Sequence, residues 1–297
     1  MDSLEKDILS KRLEPSSGVL YVVGTPIGNL GDLSPRAISI LQKVSAIACE
    51  DTRRSGHLLK KIGAKAPLLS FYKHNTKSRV PKLLKLLKDG QSLAIISDAG
   101  LPGISDPGEA LVSAARAEGH DVICIPGPCA ATTALVSSGL PSKRFCFEGF
   151  LPTKSITRRE VLGIISKETR TTVIYEAPHR LVRLLKELSD LCGKERPLRV
   201  ARELTKLHEQ QVGTTIGDAL DYFSKFRPLG ECTIVLGGAP SELDIELSRS
   251  ELITKMEVLI KAGSTPSEAA REIAIQTGQT KRLLYALLHD IEPKDRN

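Results

Sequence analysis

Residues 19–44, VLYVVGTPIGNLGDLSPRAISILQKV, show the pattern that decides the fold class. An apolar run over residues 19–23 leads into a glycine-rich turn, and Ser34 and Pro35 then provide the N-cap and the first-turn proline of a helix. Predicted helical stretches separate three further apolar runs, which lie at Ala46–Cys49, Leu93–Ile96 and Val122–Ile125. Because short apolar strands that alternate with helices are typical of a parallel sheet covered on both faces, this part is predicted to be α/β.

The same alternation starts again near residue 149, after a second stretch that contains glycine and proline. A helix is predicted at 178–191, residues 210–214 are predicted to pair antiparallel, and strands are predicted at 172–175, 198–201 and Cys232–Leu236. The chain of 297 residues exceeds the usual size of a single core, so two domains are expected, of which the second is α+β or mixed α/β.

The pattern from about residue 241 onward is helical only. Thr265 and Glu268 form a capping box, Gly278 breaks the pattern, and a basic helix follows from Lys281. This outline is typical of a helix-turn-helix and equally of a plain helical hairpin. We predict a flexible leader over 1–17, an N-terminal α/β domain over 18–145, a second α/β domain over 146–240 and a helix-turn-helix-like segment over 241–297.

The composition narrows the class of protein. Lys and Arg number 42 against 35 Asp and Glu, and this net charge of +7 favours polyanionic partners in general. The chain has no tryptophan and only 4% aromatic residues, which disfavours a surface that stacks single-stranded bases. It contains no apolar run long enough for a membrane span, no secretory signal and no CxxC pair, so we expect a cytoplasmic protein with reduced cysteines.

Three loops rich in glycine and proline, at 24–31, 97–108 and 126–133, directly follow predicted strands. Since the carboxyl ends of parallel strands meet at one edge of a sheet, the loops are predicted to form a single ligand-binding crevice. The first loop has neither the G-x-G-x-x-G nor the P-loop pattern, which disfavours NAD and ATP. Asp98, at a strand tip, is predicted to bind the ligand, and Asp106 is predicted to cap the next helix.

Seven segments resemble the signature blocks of the bacterial ribosomal RNA small subunit methyltransferase I family, which lies within the tetrapyrrole methylase superfamily. In chain order they are VVGTPIGNLGDLSPRA, CEDTRRS, ISDAGLPGISDPG, IPGPCAATTAL, FEGFLP, YEAPHR and ARELTKLHE. The resemblance implies two α/β domains with S-adenosylmethionine in the cleft between them, a C-terminal helical segment and a homodimer. It also implies 2′-O-methylation of a decoding-centre cytidine in 16S rRNA within the 30S subunit.

The resemblance further implies which residues bind the cofactor. Pro26 would lie near the sulfonium and Asp98 near the amino-acid or ribose part, with Leu101 or Ile104 beside it. Tyr175 and Glu176 would frame the adenine. The remaining implied contacts are Cys129, Ala130 and Leu204.

A ribose 2′-hydroxyl is a weak nucleophile until its proton is removed or shared, so a general base or an orienting cation is expected. Two charged clusters, at 50–53 and 202–209, follow predicted strands. The predicted catalytic residues are Lys206 and His208 as base and orienting group, followed by Asp51 and Arg53. No cluster of His, Cys and Asp has metal-ligand spacing, so no metal is expected.

Two other functions remain open at this point. A precorrin-type tetrapyrrole methyltransferase would share the fold and the cofactor, although the helical tail argues against it. A helix-turn-helix regulator would use its α/β body only to sense a ligand.

Overall fold

The computed structural model describes residues 15–240, 248–277 and 279–288. Most of the predicted leader and the predicted break at Gly278 lie outside these residues. The described residues up to 166, together with 170–237, form one compact unit that contains two sheets. Residues 167–169 and the described residues from 238 onward form a second, smaller unit. The predicted domain boundaries at 145/146 and 240/241 stay predictions.

The first sheet is parallel throughout, with strand order β3-β2-β4-β1-β5. Its strands are β1 (Leu20–Val23), β2 (Ala46–Cys49), β3 (Leu68–Ser70), β4 (Leu93–Ile96) and β5 (Val122–Ile125). The three inner strands are buried along their whole length, which explains why they consist almost entirely of apolar residues.

Helices cover both faces of this sheet, as predicted. They are α1 (Pro35–Lys43), α2 (Thr52–Lys61), α3 (Thr76–Lys88) and α4 (Glu109–Ala117). Helix α5 (Ala130–Ser137) follows β5 and packs on the second sheet. Along β1 the side chains alternate: Tyr21 packs with Ile40 of α1 on one face, and Leu20 packs with Leu87 of α3 on the other. Helix α1 begins where the sequence predicts, because the Ser34 side chain accepts a hydrogen bond from the Ala37 N–H.

The second sheet is mixed, with order β6-β7-β10-β8-β9. Its strands are β6 (Phe145–Phe150), β7 (Thr171–Glu176), β8 (Leu198–Arg202), β9 (Gln210–Val212) and β10 (Cys232–Leu236). Strands β6 and β7 are parallel and the other pairs are antiparallel, including the predicted pairing of β9 with β8. The helices of this part are α6 (Ser155–Lys167), α7 (Pro178–Cys192) and α8 (Ile216–Lys225).

One apolar cluster links the two sheets within the larger unit. Ala134 and Leu135 of α5, which follows β5 of the first sheet, are buried against Val173, Ala201 and Val235 of the second sheet. The loops at the ends of both sheets are therefore held in a fixed relation by a shared core.

The smaller unit is helical, with α9 (Arg249–Lys261), α10 (Pro266–Thr277) and α11 (Lys281–Leu288). These three helices share a small core of their own, which contains Leu252, Met256, Ile273 and Leu284. The predicted capping box is present, since Thr265 Oγ1 accepts from the Glu268 N–H at 3.3 Å and Glu268 Oε2 accepts from the Thr265 N–H at 2.9 Å. Among the described residues, no helix has the length and apolar character that a bilayer crossing requires.

Candidate active site

A cavity of about 680 Å³ in the larger unit is lined by loops from both sheets. From the first sheet come the segments that follow β1, β2, β4 and β5. In the second sheet, Cys232 at the start of β10 pairs with Glu176 at the end of β7 and with Arg202 at the end of β8. The antiparallel register therefore brings the residues beyond these three strand ends to one edge, where they complete the cavity wall.

The three glycine-rich loops do converge, and glycine is what lets them approach each other. A Cβ at Gly24 would lie 2.7 Å from the Gly127 Cα, which is closer than real Cβ atoms come. Thr25 and Gly100 exchange two backbone hydrogen bonds of 2.9 and 3.1 Å, and the Thr25 hydroxyl donates to the Ser97 carbonyl at 3.2 Å. The loops after β1, β4 and β5 are thus locked to one another.

The structure brings together almost all of the residues implied for the cofactor. Pro26, Asp98, Leu101, Ile104, Cys129, Ala130, Tyr175 and Glu176 all line the cavity. Leu204 is not among the lining residues, since it is buried in the apolar cluster with Val173 and Ala201.

Carboxylates from the loops of the first sheet form one side of the cavity lining. Glu50 follows β2, and Asp98 and Asp106 lie in the loop that follows β4. Asp98 Oδ1 accepts from the Asp51 N–H at 3.2 Å, and Asp98 Oδ2 accepts from Arg54 Nη1 at 3.2 Å. Sequence reasoning did not select Glu50 or Arg54, although both line the cavity.

The prediction that Asp106 caps a helix is wrong. The N-cap of α4 is Gly108, which makes no side-chain capping bond, and Asp106 lines the cavity instead. Burial and the nearby Glu50 and Asp98 carboxylates raise the pKa of Asp106 to about 6, against the opposing effect of a hydrogen bond with Ser97. A carboxyl group that titrates this close to neutral pH suits proton transfer.

Asp51 and Arg53 lie at the start of α2, outside the cavity lining. Asp51 is the N-cap of α2, and its Oδ1 accepts from the Arg53 N–H at 2.8 Å. The Arg53 side chain is exposed and pairs with Asp51 Oδ2 at 3.1 Å, which holds the pKa of Asp51 at about 2. Neither residue lines the cavity, whereas their neighbours Glu50 and Arg54 do.

The end of β7 contributes an aromatic ring and a buried carboxylate. The Tyr175 hydroxyl accepts from the Ala131 N–H at 3.0 Å, and its ring meets those of Phe147 and Phe150 edge-on at 5.0 and 5.5 Å. Burial raises the pKa of Tyr175 well above its ordinary value, so the phenol stays neutral. Glu176 is 1% exposed and is held by Arg180 Nη2 at 2.6 Å and Arg158 Nη2 at 3.4 Å.

Lys206 lines the cavity and His208 does not. Lys206 Nζ donates to Glu203 Oε1 at 3.0 Å and to Glu231 Oε2 at 3.1 Å, while His208 is exposed. Glu231, which also lines the cavity, was not selected from the sequence.

Backbone strain is concentrated at this site. Within the described ranges, the non-glycine residues with a left-handed backbone are Ser105, Glu203 and Thr205, with φ of 63°, 51° and 66°. Ser105 lines the cavity, and the other two lie directly before Lys206, which also lines it. Such conformations persist only where the surrounding structure holds them, and they cluster at functional sites.

Comparison with known proteins decides the family. Residues 19–220 match the model of the tetrapyrrole (corrin/porphyrin) methylases. The ribosomal RNA small subunit methyltransferase I of Synechocystis sp. is 46% identical over 275 residues, covering 93% of this chain and 99% of that protein. The chain belongs to this family.

Two further relatives agree with this membership. The small subunit methyltransferase I of Thermotoga maritima is 47% identical, over 74% of this chain and 99% of its own. That of Pseudomonas aeruginosa is 40% identical, over 91% of this chain and 96% of its own.

Solved structures show the same fold at lower identity. A cobalt precorrin-4 methyltransferase superposes with a TM-score of 0.54 at 18% identity, covering 74% of this chain and 95% of its own. This chain therefore shares its fold with a cobalamin biosynthetic enzyme. Over the part of the chain that is described, no group of three or more His, Cys, Asp or Glu residues could hold a metal ion.

Proposed function

We propose that this protein transfers a methyl group from S-adenosylmethionine to the ribose 2′-hydroxyl of a decoding-centre cytidine in 16S rRNA. The observation that carries the proposal is identity of 40–47% to relatives that are named as ribosomal RNA small subunit methyltransferase I. The solved tetrapyrrole methylases are only 18–21% identical, which supports the fold alone.

The residues that line the cavity fit S-adenosylmethionine. A volume of about 680 Å³ lies within the usual range of small-molecule sites, roughly 300–1,000 Å³. The carboxylates of Glu50 and Asp98 suit a ligand that carries a sulfonium and an ammonium, and Leu101, Ile104 and Cys129 provide apolar surface. The lack of a phosphate-binding motif agrees with a ligand that has no phosphate.

Bound S-adenosylmethionine would supply a methyl carbon whose bonding electron pair remains on sulfur when the carbon is transferred. The chain must hold the 2′-oxygen in line with that carbon and accept the hydroxyl proton as the new oxygen–carbon bond forms. We assign the proton to the Asp106 carboxylate, which lines the cavity and is mostly ionised at neutral pH.

The partner, assembly and location belong to the same proposal. A net charge of +7 supports binding to RNA within the 30S subunit, and the predicted location is the cytoplasm. Exposed apolar side chains on α5 and α6, among them Val136, Ile156 and Ile164, offer surface for a homodimer. The C-terminal segment, predicted over 241–297, is proposed to help engage the subunit.

Assembled 30S subunits from cells that lack the enzyme are expected to accept a tritiated methyl group from S-adenosylmethionine. The label should appear on the ribose of one cytidine when digested 16S rRNA is mapped by mass spectrometry. Subunits from cells that contain the enzyme serve as the control, because their acceptor is already methylated. Labelling of uroporphyrinogen or a precorrin without labelling of 30S subunits would contradict the proposal, as would a methyl group on the base.

Asp98→Ala is expected to weaken S-adenosylmethionine binding about 10- to 100-fold, because a hydrogen bond to a charged group contributes about 1.5–3 kcal/mol. Isothermal titration calorimetry measures the change directly. Asp89→Ala is the matched control, since Asp89 is exposed at the end of α3 and does not line the cavity. Equal affinity of the Asp98 and Asp89 variants would remove Asp98 from the cofactor site.

A further inference from the structure

Lys206 is held between two carboxylates that come from different parts of the second sheet. Its Nζ donates to Glu203 Oε1 at 3.0 Å and to Glu231 Oε2 at 3.1 Å. Glu203 Oε1 also accepts from the Glu231 N–H at 3.0 Å, and the Glu203 N–H donates to the Glu231 carbonyl. The Glu203 side chain is only 19% exposed, whereas that of Glu231 is 78% exposed, so Glu203 is the more rigid of the two partners.

The local backbone is shaped around this ion pair. A Cβ at Gly28 would collide with the methylene groups of Lys206, and a Cβ at Gly230 would collide with the Glu203 carboxylate. Glu203 and Thr205 both adopt a left-handed backbone, which costs non-glycine residues free energy. The two glycines therefore leave room for this ion pair, and two strained residues hold it. Together they place one ammonium group in the cavity wall.

One donor of that ammonium group remains for a ligand. A lysine ammonium has three N–H donors. Two of them are used by Glu203 and Glu231, and among the described residues no third acceptor is recorded for Lys206. The hydroxyl of the adjacent Thr205 is likewise buried with no hydrogen-bond partner in the described part of the chain.

The net charge of the cluster formed by Lys206, Glu203 and Glu231 limits which ligand oxygen it can bind. Two carboxylates and one ammonium sum to about −1, so the cluster as a whole repels a phosphate group. The opposite loops add Glu50, Asp98 and Asp106 to the cavity lining, and Arg54 pairs with Asp98. A single directed donor in such surroundings suits an uncharged hydroxyl oxygen that gains negative charge during the reaction.

We propose that Lys206 remains a cation that donates a hydrogen bond to the ribose 2′-oxygen, and that Glu203 is the positioning residue which fixes it. The inference rests on the proposed function, because it requires a ribose hydroxyl in the cavity. The 2′-oxygen forms its bond to the methyl carbon, the carbon–sulfur electron pair stays on sulfur, and the hydroxyl proton goes to Asp106. No proton enters or leaves Lys206.

The direction of the pKa shift agrees with this role. Burial lowers the pKa of Lys206, but the hydrogen bonds and charges of Glu203 and Glu231 outweigh it, and the net pKa is raised. An ammonium whose pKa is raised cannot serve as a general base near neutral pH. The general base is therefore a carboxylate and not Lys206, contrary to the prediction from the sequence.

Comparing Lys206→Arg with Lys206→Met tests the cation directly, using the full chain and 30S subunits. The methionine variant is expected to lower kcat by about 10²-fold, as for loss of one oxyanion donor. The arginine variant should keep a tenth or more of the activity, because it retains the charge. Affinity for S-adenosylmethionine should change less than threefold in both. Equal losses in the two variants would overturn the cation role, as would wild-type activity that rises only when the Lys206 ammonium is deprotonated at alkaline pH.

Glu203→Gln tests the positioning role. Glutamine keeps an oxygen that can accept from the Glu231 N–H and removes only the charge, so the loop should persist. We expect kcat to fall about tenfold and the alkaline limb of its pH profile to move to lower pH. Glu203→Asp keeps the charge, so the alkaline limb of its pH profile should stay in place even if kcat falls. If the glutamine variant does not fold, an alkaline limb that moves in the aspartate variant overturns the positioning role. Glu195→Gln is the control, because Glu195 is exposed before β8, at the opposite end of that strand.

The outcomes separate the inference from the function on which it rests. A wild-type protein that methylates 30S subunits, with a Glu203→Gln variant that matches Glu195→Gln in kcat and pH profile, overturns the positioning role alone. A wild-type protein that binds S-adenosylmethionine but does not label 30S subunits overturns the proposed function, and the inference with it.

Discussion

Asp106→Asn is expected to abolish most methyl transfer and, above pH 6, to make the protein more stable. The pKa of Asp106 is raised from 3.8 to about 6 by burial and by the Glu50 and Asp98 carboxylates. Loss of a general base lowers rates about 10²- to 10⁴-fold. The variant should therefore lose activity by at least 10²-fold at pH 8, measured as tritiated methyl transfer into 30S subunits.

The stability effect follows from proton linkage. Well below pH 3.8 the carboxyl is protonated in both the folded and the unfolded chain, so it costs the folded state no stability there. As pH rises toward 6, the unfolded chain ionises freely while the folded chain resists, so stability is lost through this window and stays lost above it. Asparagine stays neutral, so the free energy of unfolding at pH 8 should rise by about 1–3 kcal/mol, and at pH 4 it should rise by much less.

Urea denaturation followed by circular dichroism at both pH values measures this difference. Asp121→Asn is the matched control, because Asp121 is exposed and does not line the cavity. A gain in stability that is the same at pH 4 and pH 8 would contradict the linkage. Full activity of Asp106→Asn would show that Asp106 is not the general base and would leave Glu50 and Asp98 as the candidates.

The wrong prediction for Asp106 shows which features cannot be predicted from the sequence. An Asp that is followed by Pro and Gly is common at the start of a helix, so the local pattern predicts that Asp106 is the N-cap. The helix instead begins one residue after Gly108, and the features that raise the pKa of Asp106 are burial and charges from Glu50, 56 residues earlier in the chain. Spatial neighbours of that kind cannot be inferred from spacing.

The strands likewise differ in how well the sequence predicts them. Inner strands such as β1 and β4 are buried on both faces and stand out as four apolar residues in a row. Edge strand β3 is half-buried and has only two apolar residues, and β6 is interrupted by a register shift between Phe147 and Gly149. Neither gives a periodic signal, and no bounds were predicted for either strand.

The clusters of charged residues were found, but the orientation of their members was not. Asp51 turns back to cap α2, which leaves Glu50 and Arg54 as the residues that line the cavity. Lys206 meets Glu231 because β8 pairs with β10, a contact across 25 positions of the chain. The local sequence thus locates the clusters, and tertiary pairing decides which members share the site.

Arg158→Met is expected to destabilise the protein by about 3–5 kcal/mol, because removing one partner of a buried ion pair leaves the other charge uncompensated. Arg158 is 3% exposed, and its Nε donates to Glu187 Oε2 at 2.8 Å while Nη2 lies 3.4 Å from Glu176 Oε2. Among the described residues, Glu176 would then keep only Arg180 and the Ala177 N–H as partners, although its side chain is fully buried. Chemical denaturation at pH 7.5 gives the change in the free energy of unfolding.

Arg183→Met provides a matched control on the same network. Arg183 also donates to Glu187, at 2.9 Å, but its side chain is 58% exposed, so its loss should cost less than about 1 kcal/mol. Equal costs for the two variants would contradict the view that burial, rather than the number of ion pairs, makes Arg158 important. Because Glu176 also lines the cavity, Arg158→Met should weaken S-adenosylmethionine binding at temperatures where the protein is still folded, whereas Arg183→Met should not. An unchanged affinity in Arg158→Met would assign Glu176 to the ion network alone and leave the framing of the adenine to Tyr175.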